Sequence, residues 1–83
     1  MGKYDPLRDH LAGLDGRTEI RLTFNEIARL VGSLPASAWQ HPAWWGNESD
    51  GTHTQASAWR DAGWSVALID QRDEWVEFAR AER

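Results

Sequence analysis

The spacing of apolar residues along the chain alternates between the helical and the strand period, and a capping or breaking residue marks each change. Leu7 and Leu11 stand four apart within Asp5–Ala12. This predicts one face of a short helix, with Asp5 as N-cap and Pro6 at the first helical position, where its missing N–H costs nothing. Gly13 and Gly16 punctuate the exit. In Thr18–Leu22 the period drops to two: Ile20 and Leu22 face one way, Glu19 and Arg21 the other, the pattern of a half-buried strand. Thr23 followed by Glu26 is a capping box. Phe24, Ile27, Leu30 and Val31 then repeat at the helical period up to Gly32, a natural stop.

Residues Ser33–Gly51 break regular structure at Pro35, Pro42, Gly46 and Gly51, leaving room for one helical turn at Pro35–Trp39. So long a connection in so short a chain is often functional. A third helix is expected from His53 to Ala62, capped by Thr52, with Ala56, Trp59 and Ala62 inward and Gln55, Ser57, Arg60 and Asp61 towards solvent. Trp64–Ile69 and Trp75–Arg80 read as strands joined by the polar turn Asp70–Glu74, a hairpin to which the first strand adds a third member. The expected fold is α+β with three helices and a small antiparallel sheet. Its order α-β-α-α-β-β is that of a winged helix-turn-helix.

Eighty-three residues without cysteine make one domain, held by neither disulfides nor a Cys zinc site. So small a core needs large apolar groups, and six Trp beside Tyr4, Phe24 and Phe78 supply them. The N-terminus lacks the apolar region of a signal peptide, and no apolar run approaches a membrane span, so a cytoplasmic location is expected. The net charge of −4 is unevenly spread. Residues 1–32 carry five Lys/Arg and five Asp/Glu, whereas residues 33–83 carry four Arg and eight Asp/Glu. Nucleic-acid binders usually gather positive charge, and no such run is present here.

Several motifs resemble an uncharacterised family of small bacterial domains. They are Leu34-Pro35-x-Ser37-Ala38, Trp44-Trp45-x-Asn47, and Ala58-Trp59-x-x-Ala62-Gly63-Trp64, with Leu22-Thr23-Phe24-x-Glu26-Ile27 before them and a closing hairpin ending in Phe78. The likeness runs from Tyr4 to about Arg80. It implies a link to DNA, because related domains accompany nuclease-type or DNA-handling modules. Relatives often place Arg or Lys between the Ser-Ala and Trp-Trp pieces. Here Trp39-Gln40-His41-Pro42-Ala43 supplies no permanent cation.

Candidate chemistry concentrates after residue 43. Trp59, Trp64 and Trp75 read as core. Of the adjacent pair Trp44 and Trp45, one is expected inside and the other outside, free to stack on a base or anchor a partner. Asn47 either holds its own turn or offers its amide to adenine, the turn being the commoner role. Thr52, His53, Thr54, Gln55, Ser57 and Arg60 form a polar, acid-free stretch of the third helix able to read base edges, against the plain alternative of a solvated face. Arg72 in the hairpin turn would meet phosphate. A metal site from His41, Asp50 and His53, or a Ser37–His41 nucleophile and base, lacks the spacing and partners that such chemistry needs, and no glycine-rich phosphate loop occurs. The expectation is therefore a binding module without catalytic residues, metal or cofactor. Duplex DNA bound through the third helix and the hairpin leads. The alternative is protein–protein interaction through the Trp-rich loop and the acidic C-terminal half.

Overall fold

The computed structural model describes residues 2–47 and 54–81. Its elements follow the order α1 (Asp5–Ala12), β1 (Glu19–Thr23), α2 (Phe24–Val31), α3 (Ala36–Gln40), a 3₁₀ turn (Pro42–Trp45), α4 (Thr54–Asp61), β2 (Trp64–Asp70) and β3 (Trp75–Arg80). The fold is α+β, with four helices and a three-stranded antiparallel sheet among the described residues. The single turn expected at Pro35–Trp39 is α3, so the helix expected third is α4. None of these helices is long and apolar enough to cross a membrane.

Local signals explain most boundaries. The Thr23 hydroxyl accepts from the Glu26 N–H at 3.0 Å and the Glu26 carboxylate accepts from the Thr23 N–H at 2.8 Å, the reciprocal box that starts α2. Gly32 ends that helix at φ 97°, a conformation that a side chain would strain. The start of α1 departs from expectation. Asp5 is its first residue instead of its cap, and its carboxylate reaches back to the Gly2 N–H at 2.9 Å.

The sheet order is β1-β3-β2, so β3 is central. Val76 and Phe78 of β3, with Leu22 of β1, lie buried on the face that meets the helices. Period two therefore puts Trp75 on the other face, half-buried, which corrects its reading as core. Its indole lies under the Arg21 guanidinium at 3.7 Å. In β2 a bulge between Val66 and Leu68 shifts the register. Strict alternation from Trp64 would turn Leu68 inward. The extra residue turns it outward instead, 54% exposed. Ile69 takes the inward place opposite Val76.

The hairpin does not project as a free wing. β1 pairs with β3 along its length, from Glu19 opposite Ala79 to Thr23 opposite Trp75. The turn beyond is tied down by the Phe24 N–H donating to the Glu74 carbonyl at 2.8 Å and by the Gln71 amide donating to the Ala38 carbonyl at 3.1 Å.

Between sheet and helices runs a chain of rings. Trp39 meets Phe24 edge-on at 5.3 Å; Phe24 stacks on Trp45 at 4.9 Å, and Trp45 on Trp59 at 6.0 Å. Trp59 reaches Phe78 at 5.6 Å. Trp59, fourth in this series, is fully buried. Truncation in Trp59→Ala should cost about 3–5 kcal/mol, most of what so small a domain holds. Urea melts measure it directly, and a loss under about 1 kcal/mol would contradict this packing.

Candidate nucleic-acid interface

α4 divides cleanly by face. Gln55, Ala56, Ala58 and Trp59 are buried, while Thr54, Ser57, Arg60 and Asp61 take the outer arc, Ser57 half-buried and the others exposed. Small Ala56 and Ala58 let the helix backbone approach its neighbours closely. On one flank the outer arc borders a groove of about 210 Å³ against the start of α1, lined by Lys3, Tyr4, Asp5, Arg8, Thr54 and Ser57 among others. Burial raises the Tyr4 phenol above its ordinary pKa there. Arg8 pairs with Asp5 at 3.4 Å and Asp9 at 3.1 Å. On the other flank Arg60 makes only a long contact, 3.5 Å, to the Asn47 carbonyl, and has no ion pair among the described residues.

Gln55 does not belong with this arc. It is 7% exposed, and its amide donates to the Trp44 carbonyl at 3.1 Å. This corrects its expected place towards solvent: position 55 lies one helical turn before Trp59 and two before Ala62, on the same buried side. Its polar side chain is tolerated there because the short 3₁₀ turn leaves a carbonyl in need of a donor. Thr52 and His53, also expected in the reading set, lie outside the described residues, as does Asp50 of the metal alternative.

The Trp pair splits as adjacency predicts, but neither indole is free. Trp45 is 1% exposed and donates to the Ala38 carbonyl at 2.8 Å. Trp44 is half-buried, edge-on to Tyr4 at 5.8 Å and to Trp45 at 4.6 Å. Trp45 is thus a core residue, and Trp44 packs its ring against the core edge-on.

Asn47 also has a different task from either expected one. Its Oδ1 accepts from the Trp59 indole at 3.0 Å and from the Val66 N–H at 2.8 Å, and its Nδ2 donates to the Val66 carbonyl at 2.9 Å. The amide imitates one residue of a neighbouring strand while satisfying the N–H of a buried Trp. These bonds occupy the Oδ1 and one Nδ2 hydrogen, the donor–acceptor edge that an adenine would need. Arg72 is exposed on the anchored turn beside Asp70 and Asp73, the first of which accepts from the Asp73 N–H at 2.9 Å.

A family model described as a domain of unknown function, DUF7662, matches residues 4–81. The chain belongs to this family. No curated protein and no solved structure matches it.

In this DUF7662 member the motif residues noted in the sequence have structural tasks. Trp44, Trp45, Asn47, Gln55 and Trp59 form one connected set of ring contacts and hydrogen bonds. Sequence reasoning missed the Asn47–Trp59–Val66 clasp, since nothing local pairs residues 19 apart. It also missed Arg80, whose guanidinium donates to the carbonyls of Arg17 and Leu14 and lies 4.4 Å from the Trp64 ring. Replacing Asn47 by Ala strands the buried Trp59 N–H, a loss of about 1–3 kcal/mol. Thermal melts of Asn47→Ala, read alongside the near-ultraviolet dichroism of the indoles, should show both the destabilisation and a changed Trp59 environment. An unchanged melting temperature would mean the clasp contributes nothing.

Proposed function

We propose that this chain is a small nucleic-acid-binding module that presents α4 to duplex DNA. The observation that carries the reading is the outer arc of α4, where Thr54, Ser57 and Arg60 stand on a helix whose opposite face is fixed in the core. Hydroxyls and a guanidinium are groups that read base edges and phosphates, and a helix rigidly held from behind delivers them in register. The element order and the sheet order β1-β3-β2 support a winged-helix comparison. Here the hairpin acts as an anchored block, with Arg72 at its turn as a backbone contact, and does not reach out as a free wing. Asn47, Gln55, Trp44 and Trp45 take no part in this reading: the Asn47 and Gln55 amides are bonded within the chain, Trp45 is buried, and Trp44 packs edge-on against Tyr4 and Trp45.

Charge sets the kind of binding. A net −4 disfavours non-specific attraction to phosphate, so affinity without a cognate site falls at or beyond the weak end of about 10⁻⁴–10⁻⁶ M. Discrimination rests on α4. A second reading, protein interaction, is favoured by one observation: on the outer face of the sheet, Leu68 is the large apolar residue left exposed among the described ones, on the same face as Trp75.

Arg60→Ala is the sharpest test. It leaves the core untouched and should weaken duplex binding by about 1–3 kcal/mol if the contact is to a base, or lower the salt slope by about 1 if it is to phosphate. Fluorescence anisotropy against a diverse duplex library at two salt concentrations measures both. No binding at low salt would remove the DNA reading and promote the sheet face, where Leu68→Glu would then be the informative variant in partner capture.

A further inference from the structure

The two edges of the sheet are finished differently. In an antiparallel ladder, residues alternate between exchanging hydrogen bonds with the neighbouring strand and pointing those groups away from it. The Arg80 N–H donates to the Thr18 carbonyl and the Phe24 N–H to the Glu74 carbonyl, both at 2.8 Å. With the register of β1 on β3, this parity assigns Ile20 and Leu22 to β3 and turns the N–H and C=O groups of Glu19 and Arg21 outward. The Thr23 N–H, next in that outward series, is already taken by Glu26. On the far side, the Ala81 N–H donates to the Gly63 carbonyl at 2.7 Å, so the same parity turns Val66 outward on β2. There the Asn47 side chain occupies both Val66 groups, and a bulge follows at once. One edge is therefore capped and kinked, the usual protection against strand pairing. Among the described residues no backbone group pairs with the outward edge of β1.

We propose that the β1 edge is a self-association surface, where a second copy of this chain pairs antiparallel about Ile20 and joins the two sheets into one of six strands. The register follows from hydrogen-bond parity and charge. Only Glu19 and Arg21 offer free backbone pairs, so they must meet the same residues of the second copy. Centring on Ile20 sets Glu19 opposite Arg21 of the second copy, and Arg21 opposite its Glu19, an attractive pair repeated by the two-fold axis. Centring on Arg21 opposes Arg21 to itself, and centring on Glu19 opposes Glu19 to itself; both are repulsive. At the axis Ile20, half-buried on the inner side, meets its symmetry mate and loses water from the face the monomer leaves open.

The wild-type chain in sedimentation equilibrium should show a concentration-dependent monomer–dimer equilibrium, and the amides of Glu19 and Arg21 should exchange more slowly with solvent as concentration rises. Glu19→Pro removes an N–H that bonds nothing within the monomer, a substitution an edge strand accepts, and should weaken the dimer at least tenfold while leaving the melting transition cooperative. Glu19→Lys and Arg21→Glu should each be monomeric alone, since each places like charges opposite one another. Mixed, they should form a heterodimer. The lysine introduced in one chain then faces the glutamate introduced in the other, and the unchanged Arg21 of the first faces the unchanged Glu19 of the second. A wild type that stays monomeric to millimolar concentration overturns the proposal. So does a dimer indifferent to Glu19→Pro, or a mixture of the two charge variants that fails to associate.

Discussion

Three indole N–H groups are buried in this fold, and each must find an acceptor inside it. An unsatisfied buried donor costs about 1–3 kcal/mol, a large fraction of the stability available to so few residues. Trp45 donates to the Ala38 carbonyl, Trp59 to the Asn47 amide and Trp64 to the Leu11 carbonyl. Each acceptor sits where regular structure ends. Ala38 is the clearest case. Continued helix would have offered its carbonyl the N–H of residue 42, but that residue is proline and has none. The orphaned carbonyl accepts instead from Trp45 and from Gln71. At the end of α1 the Leu11 carbonyl accepts from the Leu14 N–H at 3.2 Å and takes the Trp64 indole at 3.0 Å as a second donor. The connections are thus drawn against the core by the polar corners of its largest residues.

That arrangement decides where function can reside. Irregular segments commonly carry binding groups. Here Trp45 of the long connection is buried, Trp44 packs against it, and Asn47 spends its amide on Trp59 and Val66. Among the surfaces left outward are the arc of α4, the outer face of the sheet and the edge of β1. The cations follow a similar logic. Arg21 and Arg80 lie over Trp75 and Trp64 at 3.7 and 4.4 Å, covering indoles at the sheet's margins, and Arg8 is held by two carboxylates. Arg60 and Arg72 are exposed and without ion pairs among the described residues.

The sheet shows how one inserted residue redistributes a surface. Before the bulge, β2 sends Trp64 inward; after it, Ile69 is inward and Leu68 faces solvent. The same distortion, with the Asn47 amide beside it, closes the β2 edge to further pairing. The contrast with the β1 edge lies in these two devices.

Much of the fold was legible in the residues themselves because it rests on local chemistry. The capping box at Thr23 and Glu26, the alternation of Glu19–Leu22, the helical repeat of Phe24–Val31 and the two strands around a polar turn are each set by neighbours within a few positions, and their elements form within a residue or two of where they are expected. The membership of α4 was legible for the same reason, and helical spacing correctly left Ser57 and Arg60 off its buried stripe. The site was less legible. Gln55, expected towards solvent, shares the buried face of Trp59, where a carbonyl eleven residues earlier takes up its amide. Asn47 pairs with a strand and a tryptophan that share no local pattern with it, and Trp75 faces outward because β3 commits Val76 and Phe78 to the core. Sequence period determines which face a residue takes within its own element. Which element that face meets, and which orphaned group there requires a partner, is decided only once the chain has closed on itself, since the cost of an unmet hydrogen bond exists only where water has been excluded.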